Sequence, residues 1–69
     1  MNNTGEKILI ALETIFDSQE KKAEAVLFNY LNNSVGIGEH PQHIDEIDKL
    51  FGKIAEAEDK LKLIERWVK

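Results

Sequence analysis

Apolar residues recur along the chain at alternating intervals of three and four, in two runs that a glycine-rich segment separates. This spacing places each run on one stripe of an α-helix and favours supercoiling of paired helices. The runs are Leu9, Leu12, Phe16, Gln19, Ala23, Val26 and Tyr30, then Ile47, Leu50, Ile54, Ala57, Leu61, Ile64 and Val68. The sequence therefore predicts two helices of similar length.

The predicted fold is all-α, an antiparallel two-helix hairpin that resembles a coiled coil. We expect a single domain over residues 1–69, with a helix at about 4–32, a loop at 33–40 and a second helix at about 41–68. Because the loop is short, the two helices should fold back on each other.

Local signals at the helix ends agree with these bounds. Asn3 followed three positions later by Glu6 has the form of a capping box. Pro41 suits the first position of a helix, where its missing N–H is not needed. One alternative stays open, because Asp17 and Glu20 have the same capping spacing and predict a break in the first helix near Asp17.

A turn in the middle of the loop sets the register of the two stripes. It places Tyr30 beside His43 and Ala23 beside Leu50, so that a small residue meets a large one, as a well-packed core requires. Gln19 is the polar residue of the first stripe. Buried there, it would help to fix the register.

Many apolar residues lie outside the two stripes, and a lone hairpin would leave them exposed. Contiguous apolar surface of this extent usually marks an interface. The candidate interface residues are Ile8, Ile15, Leu27, Phe28, Leu31, Ile44, Phe51, Leu63 and Trp67. We expect two hairpins to form a homodimeric four-helix bundle through an isologous contact. A different protein bound to the same surface is the alternative.

Composition narrows the possible partners. The chain has 69 residues, which is small for a domain that folds alone, and no cysteine for a disulfide or a thiolate metal site. Its net charge of −4 argues against binding to phosphate backbones or anionic lipid. Without a signal-peptide pattern or a membrane-spanning apolar run, we expect a cytoplasmic protein that needs no cofactor and does not bind membranes.

The segment around the two histidines is the candidate for metal chemistry. His40 and His43 are three residues apart, and Glu39 supplies a carboxylate next to them. Imidazole and carboxylate groups are suitable zinc ligands, so a metal site is one hypothesis. The structural alternative has His40 as a helix cap and His43 closing the core against Tyr30.

The loop and the second helix also carry a resemblance. The segments 33–41 (NSVGIGEHP) and 54–61 (IAEAEDKL) resemble small uncharacterised proteins of tailed, myovirus-type bacteriophages. The resemblance implies a phage origin, a host-cell cytoplasmic location and a helical hairpin. It carries no activity and no functional residue to this chain.

These observations favour a function without catalysis. We expect a protein-interaction module, an oligomerising hairpin that acts as a small phage accessory or regulatory factor, with a host or phage protein as a possible partner. A small metal- or ligand-binding protein that uses the histidine-containing loop is the alternative. Neither an enzyme nor a nucleic-acid-binding protein is expected.

Overall fold

The computed structural model describes residues 3–33 and 41–68, which form two packed α-helices and no strand. Helix α1 comprises Asn3–Asn32, and helix α2 comprises Pro41–Val68. The prediction of an all-α chain with two packed helices is confirmed. α1 continues without a break through Asp17, the position at which the sequence left a break open.

Asparagines complete the last turn of α1. The backbone N–H of Asn33 donates to the Asn29 carbonyl at 3.1 Å, and the Asn33 side-chain amide donates to the same carbonyl. The side-chain amide of Asn32 donates to the Phe28 carbonyl at 2.8 Å. The two bonds from Asn33 satisfy one of the four carbonyl groups that the helix end leaves without an intrahelical partner. Residues 34–40, most of the predicted loop, lie outside the described residues.

The two helices run antiparallel and form a rod that measures 53 × 14 × 14 Å. Near the connection, the rings of Tyr30 and His43 are in tilted contact, with centroids 5.6 Å apart. Nearer the open end, the Lys60 ammonium lies 5.0 Å from the centre of the Phe16 ring. Late residues of α1 thus pack on early residues of α2, in the register that the sequence predicts.

The seam between the helices is narrow. Ala23, Leu50, Ala57 and Ile64 are the buried hydrophobic residues of the described segments. Two of the four are alanines, whose small side chains let the helix backbones approach. Half-buried residues extend the seam, and they include Leu9, Phe16, Glu20, Leu27, Tyr30, Ile47, Ile54 and Leu61. A single hairpin therefore buries only the centre of its apolar surface.

The α1 side of this seam differs from the prediction. Gln19 is exposed rather than buried, and Val26 is 42% exposed. Glu20 and Leu27 are half-buried instead. In a helix, the positions three and four residues after a seam residue lie on either side of the line that runs through that residue along the helix. A small rotation of α1 about its axis therefore turns one of these positions toward α2 and the other away from it. The apolar pattern alone does not fix that rotation.

Candidate interaction surfaces

The surface of the hairpin is rich in exposed apolar side chains. Of the nine residues that the sequence assigned to an interface, eight are exposed and Leu27 is half-buried. Phe28 and Trp67 are each 69% exposed. Ile10, Leu12, Val26 and Val68 are exposed as well, and the sequence had not assigned them to the interface. The role of these residues in binding stays a prediction.

A groove of about 400 Å³ lies along one side of the seam. The buried residues Ala23 and Ala57 form part of its wall, because their small side chains leave the space open. Lys22, Lys53 and Lys60 line the same groove together with Glu56, so three positive charges outweigh one negative charge there. We call this side, defined by the three lysines, the lysine face.

Residues seven apart lie nearly above one another on a helix, so each lysine belongs to a column that runs along the lysine face. The two columns are Ile8, Ile15, Lys22 and Asn29 on α1, and Glu46, Lys53, Lys60 and Trp67 on α2. In both columns the apolar residues lie at the open end of the hairpin. The lysines lie in the middle.

The opposite side of the seam is acidic. A shallow cavity of about 320 Å³ is lined by Glu13, Asp17 and Glu65 together with Thr14 and Leu61. All three of these carboxylates lie on one side of the rod and make it negatively charged, although Lys21 balances the charge of Asp17. We call it the acidic face and define it by these three residues.

Two columns at seven-residue spacing also run along the acidic face. They are Ile10, Asp17, Glu24 and Leu31 on α1, and Ile44, Phe51, Glu58 and Glu65 on α2. Leu31, Ile44 and Phe51 lie toward the connected end, and the acids lie in the middle and at the open end. The apolar residues of the acidic face, with the exception of Ile10, therefore lie at the connected end of the rod, whereas those of the lysine face lie at the open end.

Ion pairs within each helix hold some of these charges in place. The Lys60 ammonium lies 2.8 Å from a Glu56 carboxylate oxygen, and its hydrogen bond and charge lower the pKa of Glu56. The Asp17 carboxylate accepts a hydrogen bond from Lys21 at 3.3 Å, and this bond raises the pKa of Lys21.

The candidate metal site is only partly described. His40 and Glu39 lie outside the described residues, and His43 is in contact with Tyr30. Within residues 3–33 and 41–68, no three His, Asp or Glu side chains come close enough together to hold a metal ion. The metal hypothesis therefore gains no support from the described part of the chain.

Comparisons of the chain with protein-family models, curated proteins and solved structures found no match. Neither α1 nor α2 contains a stretch that is long and apolar enough to cross a lipid bilayer.

The charged columns that flank the seam were not predicted from the sequence. The signal was nevertheless present as a seven-residue repeat, for example in the column from Ile44 through Phe51 to Glu58. Flanking positions of this kind set partner choice and orientation in coiled coils. The columns can be recognised only when the position of the seam is known, and the structure gives that position.

Proposed function

We propose that the chain is a non-enzymatic protein-interaction module, a helical hairpin that associates with further copies of itself into a four-helix bundle. In this role it acts as a small accessory or regulatory factor. The link to a tailed phage rests on the resemblance of the loop and the second helix alone.

The surface area of the hairpin carries this proposal. Its accessible surface is 5497 Å² for a mass of 7.9 kDa. A compact monomer of that mass exposes about 4,400 Å², so the excess is roughly 1,100 Å². A standard protein interface covers about 800 Å² of each partner. The excess is therefore sufficient for one interface of ordinary size, and large exposed hydrophobic side chains make up part of it.

Sedimentation velocity over a range of micromolar concentrations tests self-association. We expect the wild-type chain to sediment as a dimer or a larger species. Phe51→Lys should shift it toward the monomer, because the substitution places a charge on an exposed apolar patch. Ala55→Lys is the matched control, since it adds the same single charge at an exposed position on the outer side of α2, away from both faces. A wild-type chain that stays monomeric and helical at every concentration would refute the proposal.

A further inference from the structure

We propose that the lysine face of one copy binds the acidic face of a second copy, with the two rods antiparallel. This inference rests on the proposed self-association and specifies which surfaces meet. It is carried by the charges of the two faces and by the positions of their apolar ends. In this arrangement, α1 of each copy lies beside α2 of the other, and the two adjacent helices point in the same direction.

The four columns match when the rods are aligned in this way. Members of each facing pair are 36 positions apart in the chain, so a single axial alignment brings all the pairs level. The apolar pairs are Ile8 with Ile44, Ile15 with Phe51, and Leu31 with Trp67. The charged pairs are Lys22 with Glu58, Lys53 with Asp17, and Lys60 with Glu24. Asp17 and Lys60 also have ion-pair partners within their own helices, Lys21 and Glu56, so these two pairs contribute less than Lys22 with Glu58.

The two remaining pairs contribute less. Asn29 lies opposite Glu65, so both members of this pair are polar, and the pair is near the rim of the interface. Ile10 meets Glu46, and this is the one pair that places an apolar residue opposite a charge. Six of the eight facing pairs are therefore complementary in the same alignment.

Contacts between like faces give a poorer match. Two lysine faces in parallel orientation place Lys22 opposite Lys53, and Ile15 opposite Lys60. Two acidic faces in parallel orientation place Asp17 opposite Glu58. Like charges that face each other across an interface oppose association. The charged positions thus disfavour an isologous dimer formed through either of these two contacts.

The arrangement has a consequence for stoichiometry. Each contact uses one lysine face and one acidic face, so a pair of copies leaves one face of each kind uncovered. Such a heterologous contact closes into a ring or continues as an open stack. Assemblies larger than two copies should therefore form as the concentration rises.

Charge reversal on one face at a time tests the proposal. The lysine-face variant is Lys22→Glu/Lys53→Glu, and the acidic-face variant is Asp17→Lys/Glu58→Lys. Each variant alone should associate at least about tenfold more weakly than the wild type, because it brings like charges together. An equimolar mixture should regain wild-type association, since the reversed lysine face of one variant complements the reversed acidic face of the other.

Two control variants match these changes in charge. Lys7→Glu/Arg66→Glu and Asp48→Lys/Asp59→Lys alter exposed residues outside the two faces. Both should associate as the wild type does. Far-UV circular dichroism checks that every variant remains helical.

The possible outcomes separate the two proposals. If the wild type associates but the mixture does not regain association, the face-to-face inference is wrong and the proposed function stands. If the acidic-face variant associates normally while the lysine-face variant binds the wild type, the interface joins two lysine faces. A monomeric wild type would refute self-association itself.

Cross-linking provides a second measurement that does not alter apolar contacts. The described residues contain no cysteine, so single cysteines can be placed at will. Lys22→Cys mixed with Glu58→Cys should yield a cross-linked pair of chains with a short bismaleimide. Lys22→Cys mixed with Asp59→Cys should yield far less. Equal yields in the two mixtures would overturn the alignment.

Discussion

Replacing Gly52 with alanine should stabilise the hairpin. Gly52 lies in the middle of α2, is exposed, and a Cβ atom built on it meets no other atom within 4 Å. Glycine in a helix interior costs about 1 kcal/mol relative to alanine, because the unfolded chain loses more backbone freedom on folding. With no steric cost to subtract, the free energy of unfolding should rise by about that amount.

The chain offers a matched control for this substitution. Ala55 is exposed in the same helix, so Ala55→Gly should lower the free energy of unfolding by about 1 kcal/mol. The double variant Gly52→Ala/Ala55→Gly should return close to the wild type. Thermal unfolding followed by far-UV circular dichroism, at equal protein concentrations, provides the measurement. For a domain of this size, 1 kcal/mol corresponds to about 4–8 °C in Tm.

A fall in Tm for Gly52→Ala would refute this reasoning. It would mean that another surface approaches the backbone at Gly52 too closely for a methyl group. The outer side of α2 would then be part of a contact. Because the proposed interface leaves this side in solvent, the same result would also count against the alignment of the two faces.

Three further outcomes are expected. Ile64 is only 5% exposed, so Ile64→Ala should lower the free energy of unfolding in urea by about 2–3 kcal/mol. This is near the lower end of the range for such truncations, because two helices enclose the side chain incompletely. An unchanged urea midpoint would contradict the burial of Ile64 in the seam. Glu56→Gln should remove a small stabilisation that is present above the ordinary pKa of 4.5 and is lost as the pH falls through the lowered pKa. The urea midpoints of wild type and variant should therefore converge from pH 6 to pH 3, and parallel midpoints would exclude the Lys60 contact. Self-association should weaken between 50 and 500 mM salt if charged pairs orient the copies, and a rise would contradict that role.

The fold followed from the sequence because its two determinants are local. The three-and-four spacing identifies the helices, and the short connection forces them to be antiparallel. The contact of Tyr30 with His43 shows that the register also followed from the position of the turn. These features depend on which residues are apolar and on how far apart they are.

The rotation of α1 did not follow from the sequence. Val26 and Leu27 are both apolar and adjacent, and either could face α2. The structure turns Leu27 toward the seam and leaves Val26 at the groove. That choice depends on the packing of both helices together. The charged columns could be recognised only after the rotation of α1 was known, because each column is defined by the side of the seam on which it lies.

The shape of the hairpin determines how an assembly would grow. In the proposed contact, copies would lie side by side over their full length, so each addition would thicken the particle while its long dimension stayed near 53 Å. Neighbouring helices pack about 8–10 Å apart, so thickness increases in steps of about that size. Small-angle X-ray scattering would then show a rising cross-sectional radius at constant length, whereas end-to-end joining would produce the reverse.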